Sequence, residues 1–261
     1  MTGAIAVDVV RSLSAPPELR GAEKDDDSIG LLSGHFSKLD NWYRVSSMFE
    51  GNFFEQVAPG AFDKTIAEDR DGMRVLFDHG FDTIGNKVLG MIKELRNDSY
   101  YEVPLFDTSY NRDLYPGLKA GAYGASFRMR VEADEWDEEP EPSDFNPKGD
   151  PLRTITRAKV MEFGPVTFPA NPGATAAVRS STDEFYTMLR QRDAGAFEDA
   201  CRAANIEIPD FTARVPSPVE AGGVVGMATA PGRGVTSARS EAEIRRTNLI
   251  LMGVDLRPRK G

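Results

Sequence analysis

The sequence predicts a mainly β domain, a barrel or sandwich with a few helices packed outside it, followed by a tail of amphipathic helix and irregular chain. Three observations carry that expectation. Between about residues 28 and 177, short alternating or apolar runs recur, separated by turn signals. Only two stretches inside that span have helical spacing, and after residue 179 the composition changes. A chain of 261 residues can hold one sizeable domain and a long tail. The expected division is an N-terminal segment over 1–27, a folded domain over 28–179 and a tail over 180–261.

Taken in order, the candidate strands are "SIGLLSGHF", "YRVSSMF", "MRVLFDH", "VLGMIKEL", "YYEVPLF", "YGASFRMRVEA" and "TITRAKVMEFGPVTF". Between the fourth and fifth lies "RND", whose Asn97 and Asp98 tolerate the backbone of a hairpin turn. "APGAFDKTIAED" reads as a helix, with Pro59 near its start and Phe62 and Ile66 four apart on one face. "DTSYNRDLYPGLKAG" reads as a second, capped by Asp107 or Thr108, which Pro116 must kink or split. "EADEWDEEPEPSDFNPKGDP" has too many acids and prolines to bury a core and is expected to be a solvated, disordered excursion. Beyond it, "STDEFYTMLRQRDAGAFEDACRAANI" suits one or two amphipathic helices with Ser181 or Thr182 as N-cap. A Pro- and Gly-rich linker and a short amphipathic, basic end close the chain.

Composition narrows the function. With 41 acidic against 31 basic residues and a net charge of −10, the chain is a poor candidate for binding nucleic acid, which needs clustered Lys and Arg. Cys201 is the only cysteine, so no internal disulfide can form and a cysteine-based zinc site is not expected. The N-terminal apolar run is met at once by Asp8, unlike a signal peptide, and no apolar stretch nears the roughly 20 residues of a membrane span. A soluble protein of a reducing cytosol, with no membrane partner, is the expectation.

Four residues are candidates for chemistry. Ser126 sits in "GAYGASFRMR", where small residues give way to strand alternation. A serine there carries no chemistry by itself; as a nucleophile it needs a base and a group to orient that base. His79, in "VLFDHG", follows an apolar strand and precedes a glycine, where a rigid element can hold a reactive side chain near solvent. His35 lies within a strand pattern beside Phe36. Glu162 is a carboxylate among apolar neighbours, and if buried it needs a partner such as an imidazole.

In their order, these residues and their surroundings resemble the prohead serine proteases of tailed phages, relatives of the herpesvirus assemblin fold. The resemblance runs from about residue 30 to 177 through five linked segments: "GHFSKLDNWYRV", "GNFFEQVAPGAFDKTI", "VLFDHG" with "IGNKVLGMIKEL", "LKAGAYGASFRMR" and "MEFGPVTFPANPGA". It implies a herpesvirus-protease-like β-barrel, Ser126 as nucleophile, His79 as general base and Glu162 as the acidic third member, with His35 structural. It implies no metal or organic cofactor. The expected substrate is the scaffolding segment of the major capsid protein, together with the chain itself through autoprocessing, inside the procapsid in the host bacterial cytoplasm. A homodimer is kept open as a partner. Oxyanion donors are expected among the backbone amides near Gly124 and Gly164.

Two other classes compete. A protease-like scaffolding or assembly module with little catalysis would use the same fold, its tail helices binding capsid or scaffold, but has no need of Ser126 and His79. An esterase-like hydrolase should show a Gly-x-Ser-x-Gly elbow, and the fifth position here is Arg128.

Overall fold

The computed structural model of the chain describes residues 8–22, 27–81, 87–167, 178–203 and 206. In chain order its elements are β1 (Val9–Leu13), β2 (Glu18–Arg20), β3 (Gly30–His35), β4 (Tyr43–Ser47), β5 (Gly51–Val57), α1 (Asp63–Glu68), β6 (Arg74–Val75), β7 (Glu94–Leu95), β8 (Tyr100–Leu105), α2 (Ser109–Lys119), β9 (Gly124–Asp137), β10 (Leu152–Val166), β11 (Val178–Ser180), α3 (Thr182–Arg192) and α4 (Ala194–Ala203). The fold is mainly β, as expected. One sheet runs β11-β1-β9-β10-β5-β4, with β6 added beside β10, and a second runs β2-β3-β8-β7. The end strands β11 and β4 of the larger sheet lie against each other, so it is nearly closed into a barrel.

Alternation explains the core. Along β9, Ala125, Phe127 and Met129 face inward, and along β10 Val160 does so with Phe163. Phe127 and Phe163 are directly opposite each other in the β9–β10 ladder, where paired side chains share a face. Phe36 stacks on Phe163 with ring centroids 5.2 Å apart and meets Phe62 and Phe127 edge-on at 5.1 and 5.4 Å. A second, smaller cluster of Val10, Phe49, Phe185, Tyr186, Phe197 and Cys201 lies beneath α3 and α4, so the apolar stripe of α3 is spent within the chain.

Several local expectations are revised. The apolar runs 73–79 and 88–95 yield only the two-residue strands β6 and β7 and a lone bridge from Gly90 to Leu105. The Leu89 amide bonds to the Val75 carbonyl and the Leu89 carbonyl receives Phe106 N–H, so this segment links the two sheets rather than lying along one. Pro116 does not split α2, which continues to Lys119; Leu114 and Leu118, buried four apart, hold both sides of the proline to the core. The acidic excursion is not disordered. β9 extends through Asp137, Phe145 stacks on Trp42 at 5.7 Å, and the Asn146 side chain bonds to both backbone groups of Asp150. β1, β2, β5 and β11 lie outside the expected set of strands. Ser181 and Thr108 stand at the expected N-cap positions of α3 and α2, though neither side chain makes a capping bond, and the hairpin turn at residues 96–99 matches the sequence. The expected linker and basic end lie outside the described residues.

Among the strands not anticipated, β1 is buried at all five positions, Arg11 included. The Arg11 guanidinium donates to Glu50 at 2.6 and 2.9 Å and to Glu55 at 2.7 and 3.0 Å. Glu55 also accepts from Arg153 of β10 at 3.1 Å and from the Tyr43 hydroxyl at 2.5 Å. Burial would raise the Glu55 carboxyl, but Arg11 and then Arg153 outweigh it and hold it below its ordinary value. Burial lowers Arg11, and Glu50 and Glu55 more than reverse this. Tyr43 is pushed well up by burial and by the Glu55 charge.

Removing one member of such a cluster strands the others, at about 3–5 kcal/mol. Glu55→Gln is therefore expected to lower unfolding free energy by about 3 kcal/mol at neutral pH, measured by urea denaturation. Because the folded carboxyl ionises below the unfolded one, the unfolded chain binds more protons in that window, and stability falls as pH drops below about 4.5. The variant should lose that part of the acid slope; an unchanged slope would show that Glu55 does not carry it.

Candidate active site

β6 runs parallel to β10, with Arg74 opposite Glu162 and Val75 opposite Phe163. Immediately after it, Leu76 N–H donates to the Phe163 carbonyl at 3.0 Å. The chain can come this close because residue 164 is glycine. A Cβ there would lie 1.9 Å from the Leu76 carbonyl oxygen. Asp78, His79 and Gly80 then take three successive left-handed conformations, with φ of 44°, 56° and 74°. Asp and His enter that region more readily than most residues, but it still stores of order 1–3 kcal/mol each.

Surrounding bonds hold the strained turn. Thr167, just past β10, donates its N–H and hydroxyl to the two Asp78 carboxylate oxygens, both at 2.7 Å. Arg192 at the end of α3 donates to the Gly80 carbonyl. His79 Nδ1 consequently lies 2.7 Å from Glu162 Oε1, with the two side chains 6% and 3% exposed. A carboxylate can only accept, so Nδ1 carries the proton and the neutral ring presents Nε2 as its acceptor. Asp78, the other nearby acid, is engaged with Thr167.

The β9–β10 register pairs Ser126 with Gly164 and Arg128 with Glu162. Ser126 and Glu162 thus share the face opposite the phenylalanine core, as diagonal neighbours with Cα atoms about 7–8 Å apart. Ser126 is fully buried. Its hydroxyl donates to the Arg11 carbonyl at 3.0 Å and accepts from the Ser12 hydroxyl at 3.0 Å. Ser12 in turn lies 2.8 Å from the Ser181 hydroxyl. Among the described residues no hydrogen bond joins Ser126 to His79. The structure therefore brings His79 and Glu162 together, puts Ser126 on their face of the sheet, and turns its hydroxyl toward β1.

Sequence reasoning missed the walls of this site. Phe185 of α3 meets the His79 ring edge-on at 5.7 Å, and the Arg128 guanidinium lies 5.3 Å over the same phenyl ring. Arg128 Nε is 3.8 Å from Glu162 Oε1, adding positive charge beside the carboxylate. The apolar stripe in "STDEFYTMLRQR" signalled that α3 covers something, without saying what. Gly124 pairs with Val166 and flanks the serine in the ladder. His35 is exposed on β3, bonded to the Asp98 carbonyl and edge-on to Tyr100, and does not join the site. Chemically, the face assembles a hydroxyl, an imidazole of defined tautomer and a buried carboxylate.

One comparison with known proteins bears out the family resemblance. The family model of the caudovirus prohead serine protease matches residues 18–188, which takes in His79, Ser126, Glu162 and Phe185. No curated protein and no solved structure matches the chain.

The close approach at Gly164 makes a sharp prediction. Gly164→Ala must push the 76–80 turn away from β10, and the expected loss is about 1–3 kcal/mol of stability together with the His79–Glu162 bond. Proton NMR checks it. The downfield Nδ1–H resonance of His79 should be present in the wild-type chain and absent from the folded variant.

Proposed function

We infer the function of this chain from one premise: it belongs to the caudovirus prohead serine protease family. Its role is that of a phage maturation protease, acting in the procapsid within the host cell. In finer detail, it is a serine endopeptidase whose nucleophile is Ser126, whose general base is His79 and whose orienting acid is Glu162. Its substrates are the scaffolding segment of the major capsid protein and the chain itself.

The observation that carries these roles is the buried 2.7 Å bond between His79 Nδ1 and Glu162 Oε1, on the same sheet face as Ser126. In the reaction, Ser126 Oγ attacks the scissile carbonyl carbon while its proton passes to Nε2 of His79. Glu162 keeps the ring in the correct tautomer and stabilises the imidazolium. The imidazolium then gives its proton to the leaving amine, and the C–N bond breaks to leave an acyl-enzyme. Water repeats the attack, with His79 again as base, and Ser126 regains its proton. To begin, the Ser126 hydroxyl has to turn from the Arg11 carbonyl to Nε2.

Co-expression with the major capsid protein of the same phage, followed by intact-mass measurement, tests this directly. The wild-type chain should trim the capsid protein and itself. Ser126→Ala should lower both by about 10⁴-fold or more while remaining folded, the loss of its two buried hydrogen bonds costing about 1–3 kcal/mol. Cleavage at the same sites by the variant would remove Ser126 as nucleophile, and absence of cleavage by a folded wild-type chain would favour the scaffolding role.

Glu162→Gln keeps the shape but favours the wrong tautomer. Since Glu162 is almost wholly buried, the expected fall in turnover approaches that of the Ser-His-Asp template, about 10³ to 10⁴. Turnover within about twofold of wild type would reduce the machinery to Ser126 and His79.

A further inference from the structure

The hydroxyl of Ser126 has one proton and two lone pairs, and β1 occupies it from both sides. The proton goes to the Arg11 carbonyl, and a lone pair receives the proton of Ser12. Since Ser12 has only one proton and gives it to Ser126, its 2.8 Å bond with Ser181 must have Ser181 as donor. The hydroxyls therefore form a directed chain, Ser181 to Ser12 to Ser126 to the Arg11 carbonyl, in which each bond polarises the next. All three serines are buried.

The acceptor at the end of this chain cannot drift. Arg11 is clamped through its own side chain by Glu50 and Glu55. Its strand is paired on both sides, Arg11 with Phe127 of β9 and with Ser180 of β11. The donor end is held through its backbone, because Ser181 N–H donates to the Val10 carbonyl at 2.9 Å and the Ser181 carbonyl accepts from Phe185 N–H of α3 at 3.0 Å. His79 and Glu162 are meanwhile already joined. Of the three groups, only the serine is out of position.

We propose that Ser12 is a positioning residue that holds the Ser126 hydroxyl in a resting orientation, so that β1 acts as a built-in catch on the nucleophile. The proposal rests on Ser126 being the nucleophile. Releasing the catch means breaking the Ser12 bond and moving the Ser126 proton from the Arg11 carbonyl to Nε2 of His79. Removing the Ser12 hydroxyl takes away one of the two restraints.

A fluorophosphonate ester reports on this without any peptide substrate. Its phosphorus bonds to the activated serine oxygen, fluoride leaves, and the serine proton passes to the imidazole. The full-length chain, Ser12→Ala, Ser181→Ala and Ser126→Ala are each incubated with the probe, and the labelled fraction is followed by intact mass, with thermal melting as a check on folding. The wild-type chain should label slowly. Ser12→Ala should label about three- to tenfold faster, as expected for loss of one neutral hydrogen bond. The gain should lie in the first-order inactivation constant and not in the probe's affinity, a split that a purely structural role would not produce. Ser181→Ala, which frees Ser12 without touching Ser126, should give a smaller gain and decides the matter if Ser12→Ala does not fold. Ser12→Ala labelling at or below the wild-type rate, with unchanged melting and with label on Ser126, overturns the catch and leaves the nucleophile intact. Label appearing on Ser126→Ala, or on no variant, overturns the assignment of Ser126 itself and the catch with it.

Discussion

The salt-bridged cluster of Arg11, Glu50, Glu55 and Arg153 is the constraint on which the rest of the structure depends. In the order of the large sheet, β1 and β5 are not neighbours, so the Arg11–Glu55 pair joins strands that no backbone ladder connects. Such a cluster is a weak source of net stability, since desolvating the ions offsets much of their attraction. Its strength is in selection. A one-residue slip of β1 would turn Arg11 to the opposite face and leave two carboxylates and Arg153 buried without it. The same register sets Ser12 opposite Ser126, so the geometry around the serine follows from an ion cluster on the other side of the strand.

A second dependence runs through β10. Gly164 admits the Leu76 carbonyl, that close approach aims the following turn, and the left-handed residues 78–80 carry the imidazole to Glu162. Strain of this kind persists only where neighbouring contacts over-determine it. Here Thr167, Leu76 and Arg192 do so from three separate elements. The imidazole and carboxylate are thus already joined, whereas the serine hydroxyl on the same sheet face is bonded to β1.

Much of this was legible in the sequence. The long β9 and β10 strands show alternation around the serine and the carboxylate, α1 and α3 carry apolar stripes, and His79, Ser126 and Glu162 stand in linked motifs. What was hidden had physical reasons. β1 has no readable period because both its faces are buried and one of them holds an arginine, which reads as solvent-facing until its carboxylate partners, some 40 residues away, are in place. The runs around Val75 and Leu89 are apolar because they bridge two sheets, and burial on both sides mimics a strand. The acidic loop appeared disordered because composition does not reveal that Phe145 has Trp42 to stack on. Glu162 was legible as a burdened carboxylate, whereas the bonds of Ser12 and Ser181 were not, because serine hydroxyls carry no pattern.

The hydroxyl chain spans a great length of polypeptide: Ser12 and Ser181 are 169 positions apart. Pairings of such separation form late, since the intervening chain must first be closed into a loop. During synthesis at roughly 5–20 residues per second, about 10–30 s pass between the emergence of the two serines. β1 waits for its first partner strand until β9 is made, and for its second, β11, until the end of that interval. The serine, the imidazole and the carboxylate are all made before the helix that covers them, so the nascent chain passes through a stage in which the catch is not yet assembled. Completion of α3 then brings folding and restraint together, and the Ser126 hydroxyl is tied to β1 from the moment the sheet is complete.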